Sequence, residues 1–272
     1  MADLTRDEIA AYIDTWRAAG VTDAVGDGPA DWFALVDQHR AAVKSTAARP
    51  TAPVAELRRA TVSVPQAARA APPSGASAAA DATAAAAQSL DELLRAIDSF
   101  EGCGLKATAK SLCFYRGAPI ARLMLIGEAP GRDEDIAGKP FVGRAGQLLD
   151  KMLAAIGIDE GKVHIANTVY WRPPGNRTPT AEETLACAPF VARQIELVAP
   201  DVIVLLGGVA AKSVLGLTEG ILKLRGKWRA LSVAGREVRT LATLHPAYLL
   251  RTPAAKRQVW QDLQMIAAAL AE

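Results

Sequence analysis

The chain has 272 residues, 50% of them hydrophobic, with a formal net charge of +2, three cysteines and three histidines. That length holds one substantial core or two small ones. Three cysteines exclude a disulfide framework and point to a reducing, cytoplasmic compartment, while short, punctuated apolar runs exclude a membrane span.

The opening, MADLTRDEIAAYID, is acidic and lacks the basic start and apolar core of a signal peptide. Thr5 and Glu8 match a capping box, and Ile9, Tyr12, Ile13 and Trp16 follow at helical spacing. With Gly20 ending that helix and DWFALVDQHRAAV giving a second short one, residues 1–45 read as a small helical segment. It is expected to dock on the main domain or on an unknown protein partner. Residues 46–88 are rich in Ala, Pro, Ser and Thr and nearly devoid of aromatics. Such a stretch buries too little surface to offset its ordering entropy, which predicts a disordered linker.

From Ser89 onward the pattern becomes that of an α/β domain, residues 89–272. SLDELLRAIDSF carries a cap and a helical stripe, and ARLMLI is a buried strand. RAGQLLDKMLAAIGI is a helix, VHIANTVYW a second strand, and TAEETLACAPFVARQIELVAP a long helix opened by Thr180 with Glu183 three places on. DVIVLLG is a third strand followed by the helix GVAAKSVLG. VRTLATLHP forms a fourth strand after a hairpin at AGRE, and AAKRQVWQDLQMIAAAL closes the chain as a helix. Strands alternating with helices predict a three-layer α/β/α sandwich around a mainly parallel sheet.

In such sheets ligands bind beyond the carboxyl ends of the strands. Strand one ends in GEAPGRDEDIAGKPF, a loop carrying Glu128, Asp133, Glu134 and Asp135 against only Arg132 and Lys139. Strand two runs through Asn167 into WRPPGNR, strand three ends in Gly207-Gly208, and strand four in HPAYLLR. No Walker loop or GxGxxG spacing is present, so a nucleotide cofactor is poorly supported. His39 and His164 lie away from His245, and without CxxC a zinc site is not expected; no GxSxG serine signature occurs. Residues 222–257 hold nine basic residues and one acid, Glu237. Such a cluster suits a polyanion or forms a solvated positive face.

GEAPGRDED, PFVGRAGQLLD, the asparagine strand leading to RPPGNR, LLGGVAA and HPAYLLR, in that order, resemble family 4 uracil-DNA glycosylases over roughly residues 89–270. The resemblance implies an α/β/α sandwich with a central four-stranded sheet. It further implies base-excision repair on uracil-containing DNA, by a monomer that needs no cofactor for the chemistry. The base would be swung out of the duplex before its glycosidic bond is reached. Phe141 would stack on uracil, Asn167 would read its edge, and Gly127, Glu128 and Ala129 would wall the pocket. His245 would donate a hydrogen bond to the uracil anion as the bond breaks. Asn176 and Glu134 match positions thought functional, Glu134 either positioning water or anchoring its loop. Ala129 stands where the most active glycosylase families place a water-activating aspartate. Leu249 and Leu250 are read as a solvent-facing turn, with Leu249 favoured as the wedge entering the gap and Arg251 and Arg177 holding phosphates. A catalytically weak or inactive DNA-binding member is the alternative.

Many members of that family hold a 4Fe–4S cluster on four cysteines. The matching places here read Phe100, Cys103, Trp171 and Cys187. Cys113 is the only other thiol, so at most three thiolates exist where a cubane ordinarily takes four. The cluster is therefore doubtful, and Phe100 and Trp171 are expected to fill the vacated volume.

Overall fold

The computed structural model describes residues 75–272. The expectations for residues 1–45, for 46–74 and for His39 lie outside the described residues. The end of the expected linker is ordered as helix α1 (Gly75–Ala86), followed by α2 (Leu90–Ser99), whose Ser89 cap accepts from the Glu92 N–H. In α1, Ala80 and Ala84, with Ala87 just beyond, are buried in the core beside helix α5 (Ala181–Val198). Their one-turn spacing makes a narrow methyl face that composition alone hides.

Six strands form one sheet: β1 (Arg116–Gly117), β2 (Leu123–Gly127), β3 (Val163–Asn167), β4 (Val202–Leu206), β5 (Trp228–Val233) and β6 (Arg236–Thr243). Their order is β1-β3-β2-β4-β6-β5. The expected four-stranded sheet is thus corrected to six. Four parallel strands make its centre, and β1 and β5 add antiparallel edges. Strand β1 has only two residues and β5 alternates between half-buried and exposed positions, so neither carries the apolar run that marks the centre.

The apolar runs follow from burial on both faces. Leu123 and Leu125 of β2, with Val202, Val204 and Leu206 of β4, join one core with α4 (Arg144–Ala154) and α9 (Lys256–Ala271). Met124 and Ile126, with Ile203 and Leu205, join the other core with α1, α2, α5 and α6 (Gly208–Leu215). The two-residue period of a strand distributes them alternately. Thr180 and Glu183 form the predicted capping box of α5.

Candidate functional site

The parallel strands set the site's floor in register. Gly127 at the end of β2 pairs with Asn167 at the end of β3, and Leu206 of β4 with Thr243 of β6. Thr168 fixes this rim: its N–H donates to the Gly127 carbonyl at 3.0 Å and its hydroxyl to the Glu128 carbonyl at 2.7 Å. Above it lies a cavity of about 500 Å³, within the size range of small-molecule sites. Its walls are Glu128, Ala129, Pro130, Gly131, Glu134, Phe141, Ala145, Asn176, Arg177, His245, Ala247, Tyr248 and Arg251.

Phe141 and His245 line this cavity side by side, their ring centroids 5.6 Å apart and planes inclined by 30°. Phe141 holds a left-handed backbone, φ 56°, a conformation that costs a bulky residue on the order of 1–2 kcal/mol. Close packing maintains it. A Cβ on Gly146, in α4, would lie 1.6 Å from the Phe141 carbonyl oxygen, so only glycine lets the helix abut that peptide. Gly127 is constrained in the same way: its Cβ would fall 2.4 Å from the Phe141 ring and 2.5 Å from Asn167 Oδ1. The ring edge and the amide oxygen therefore converge on one bare patch of backbone. Asn167 is 1% exposed, and its Oδ1 has no hydrogen-bond partner among the described residues. An orphaned buried acceptor costs about 1–3 kcal/mol, which a ligand donor would relieve. Asn167 itself lies beside Phe141 and does not form part of the cavity wall.

His245 caps α8 (Pro246–Arg251), its Nδ1 accepting from the Ala247 N–H at 3.1 Å. In the neutral ring that bond leaves the proton on Nε2, a donor. Burial, helped by the positive charge of Arg251, pushes its pKa down to about 4, so at neutral pH the donor is an uncharged imidazole.

Two acids of the GEAPGRDED loop, Glu134 and Asp135, serve the backbone. Arg132–Ala137 forms a short helix, α3. Glu134 accepts from the Gly131 N–H at 3.1 Å through Oε2 and from the Gly143 N–H at 2.8 Å through Oε1, bridging the two loops around Phe141. Asp135, 2% exposed, accepts from the Lys110 and Ser111 N–H groups and lies 3.9 Å from Arg172. Arg172 in turn donates to Asn176 Oδ1 at 2.7 Å. Turns provide N–H donors that no sheet ladder satisfies, and carboxylates satisfy them two at a time.

Several expectations change. Leu249 is 1% exposed and packs into the core, whereas Leu250 is 39% and Tyr248 37% exposed. HPAYLLR is a helix rather than a turn, in which neighbouring side chains diverge by about 100°, so Leu249 and Leu250 leave on different sides. The expected solvent-facing position of Leu249 is thereby corrected to a buried one. Arg177 lines the cavity but is held by Glu183 through contacts of 2.8 and 2.6 Å, which lower the Glu183 pKa to about 2. The basic segment is dispersed. Arg225 pairs with Asp262, Arg239 with Glu272, and Arg236 donates to the Ala199 and Pro200 carbonyls. Arg251 stays on the cavity rim without an ion pair among the described residues. Tyr248, Pro130, Ala145 and Ala247 are wall residues the sequence reading missed. Pro246, a helix-start signal directly after His245, was the available clue to the α8 pair. His164 is a buried structural residue, bonded to the Ala118 carbonyl and to Gln194, which accepts from the Tyr170 hydroxyl.

The residues at the cluster positions do not fit a cubane. Phe100, Cys103, Trp171 and Cys187 all belong to one buried apolar core, and Cys103 Sγ and Cys187 Sγ are 3.9 Å apart, in direct contact. Cys113 is turned away, its thiol donating to the Glu134 carbonyl at 3.2 Å. Among the described residues no group of three or more His, Cys, Asp or Glu side chains is placed to hold a metal ion, and no helix is long and apolar enough to cross a membrane.

A family model of the uracil DNA glycosylase superfamily matches residues 114–264. A type-4 uracil-DNA glycosylase of Archaeoglobus fulgidus is 39% identical over 183 residues, 66% of this chain and 92% of that protein. One from Thermotoga maritima is 41% identical over 168 residues, 60% of this chain and 84% of that protein. A type-5 uracil-DNA glycosylase of Pyrobaculum aerophilum is 32% identical over 157 residues, 50% of this chain and 68% of that protein.

Proposed function

The chain belongs to the uracil DNA glycosylase superfamily, in its type-4 family, and from that premise we propose that it binds uracil turned out of DNA and excises it slowly, as a catalytically weak member. The observation that carries recognition is the unpartnered, buried Oδ1 of Asn167 beside the Phe141 ring. Uracil offers N3–H to that oxygen and O4 to the amide nitrogen; cytosine presents the opposite pattern at position 4 and an acceptor at N3. A base entering the cavity stacks against the Phe141 ring, beside which the Asn167 amide oxygen lies.

Chemistry follows from His245. As the C1′–N1 bond breaks, negative charge gathers on uracil O2, and the Nε2–H of a neutral imidazole stabilises it. Two features bear on turnover. Ala129 puts a methyl group in the cavity wall at the place the most active glycosylase families give to a water-activating carboxylate, a place the resembled family generally leaves without one. Each oxygen of Glu134 already accepts a backbone N–H, which ties that side chain to its loops. A well-placed general base is worth about 10²–10⁴ in rate. Leu250, Tyr248 and Arg251 on the open side of α8 take the role of filling the vacated stack and holding phosphate.

Full-rate glycosylase activity is the second reading, favoured by the intact His245 donor. A uracil oligonucleotide, treated with the protein and then alkali, separates the two. A stable uracil-dependent complex with slow strand scission supports the weak member. Scission as fast as by the A. fulgidus relative, assayed alongside, supports the second reading. Equal affinity for uracil and thymine oligonucleotides sinks both. His245→Ala should abolish residual scission while leaving the melting temperature near that of the unaltered protein.

A further inference from the structure

We propose that Cys103 and Cys187 form a reversible dithiol–disulfide site, oxidised by a peroxide, in the place where the family's cluster cysteines would stand. This goes beyond the reading of the DNA site and does not depend on it. Cys103 precedes the turn after α2, and Cys187 sits in the middle of α5, 84 positions along the chain. Their sulfurs are 3.9 Å apart, the Cys187 S–H pointing at Cys103 Sγ. A disulfide needs the sulfurs about 2.05 Å apart, a closure of roughly 2 Å from their present contact. Among the described residues neither sulfur has a third ligating side chain nearby, and Phe100, edge-on to Phe190 with ring centroids 5.0 Å apart, walls the same core.

The pair is chemically unequal. The Cys187 S–H bond to Cys103 favours the Cys103 thiolate and lowers its pKa. That same bond, with burial, raises the Cys187 pKa well above the ordinary thiol value. Cys103 is thus the nucleophile and Cys187 the resolving thiol. The Cys103 thiolate attacks one oxygen of hydrogen peroxide; the O–O bond breaks, giving a sulfenic acid and hydroxide, which leaves as water with the proton lost from Cys103. Cys187 sulfur then attacks the sulfenic sulfur; the S–S bond forms and the hydroxyl leaves as a second water with the Cys187 proton. Two thiols are oxidised and one peroxide is reduced to two waters. Both thiols are buried, at 2% and 0% exposure, so the reaction runs through opening of the Cys103 turn and is slow.

The test uses the full chain, purified under reductant, freed of it, and exposed to a small excess of hydrogen peroxide. Free thiols are counted after unfolding, and the alkylated protein is mapped by mass spectrometry. The expected result is loss of two of the three thiols, a peptide pair joining Cys103 to Cys187, reversal by dithiothreitol, and a melting temperature raised by several degrees. Cys113→Ser should form the same link. Cys187→Ser should instead stop at a Cys103 sulfenic acid that reacts with dimedone. Three thiols persisting after prolonged peroxide, a link through Cys113, direct over-oxidation without a link, or stoichiometric iron in the freshly isolated protein would each overturn the proposal.

Discussion

Glu134→Gln distinguishes a carboxylate that acts on water from one that holds the pocket together. In the structure each carboxylate oxygen takes one backbone N–H, from Gly131 at 3.1 Å and Gly143 at 2.8 Å. A glutamine keeps one acceptor and turns an NH₂ toward the other donor. One charge-assisted bond, worth about 1.5–3 kcal/mol, is lost and the second loses its charge. Gly143 lies two residues from Phe141, so the strained φ of Phe141 loses one of its supports. The closed pocket should become roughly tenfold to a hundredfold less populated, since each tenfold corresponds to about 1.4 kcal/mol. Affinity for a uracil oligonucleotide should fall by that factor, measured by fluorescence anisotropy. The melting temperature should drop by roughly 3–10 °C, at about 2–4 °C per kcal/mol for a domain of this size. Single-turnover scission at saturating protein should change little. If instead scission falls a thousandfold with affinity and melting temperature intact, Glu134 acts on the reacting water and the bridging account fails.

Gly146→Ala places a methyl carbon 1.6 Å from the Phe141 carbonyl oxygen; destabilisation of at least about 3 kcal/mol is expected by denaturant titration, and a neutral result would mean the Phe141 peptide is not held by α4. Asn167→Asp should weaken uracil binding by about tenfold to a hundredfold and blunt discrimination against cytosine, read from competition between matched oligonucleotides. Leu250→Ala should reduce affinity for duplex uracil DNA with no change in stability, whereas Leu249→Ala should cost about 2–5 kcal/mol of stability, and the reverse pattern would restore Leu249 as the wedge. Acid should destabilise the fold through His164, whose pKa burial lowers to about 4. The unfolded ring, near 6.5, binds the proton more tightly, so this stability is fully present above pH 6.5, declines as pH falls and is lost by about pH 4, about 3 kcal/mol in all. His164→Gln should flatten that part of the pH–stability curve.

What the sequence made legible, and what it hid, divides along physical lines. ARLMLI and DVIVLLG are continuous apolar runs because both faces of a central parallel strand are covered, and they fall where expected. Ser89, Thr180 and Glu183 cap helices by local contacts, which local sequence encodes. Helix α1 was hidden because its buried face consists of alanines, whose value lies in close approach to α5 rather than in hydrophobic contrast. Strand β1 lies at a sheet edge and buries too little to leave a pattern, and β5, at the other edge, was signalled only through the hairpin at AGRE. Within the site, the conjunction of Phe141, Asn167 and His245 rested on motif order. The duties of Glu134 and Asp135 did not, because their partners are backbone donors 3–25 positions away that only folding brings close. Leu249 was misplaced by taking a six-residue helix for a turn: side chains one residue apart on a helix point about 100° away from each other, so only one of two neighbouring leucines faces solvent.

On the proposed function, recognition and catalysis occupy separable layers of this site. The recognition layer is built into the sheet: Gly127 and Asn167 are paired strand ends, and Phe141 is locked against α4. Its cost is already present in the free protein, as an orphaned amide oxygen and a left-handed phenylalanine, and binding of a complementary base offsets the first of these. The chemical layer is sparse: one neutral imidazole, an alanine and a carboxylate committed to backbone donors. Preorganised binding that strains the free site without a matching base for water favours holding the flipped nucleotide over completing its hydrolysis. For that reason the excision rate should respond to changes at His245 and Ala129, and affinity to changes at Gly127, Asn167 and the loops tied by Glu134. Two sets of variants that failed to separate in this way would show that the layers are one.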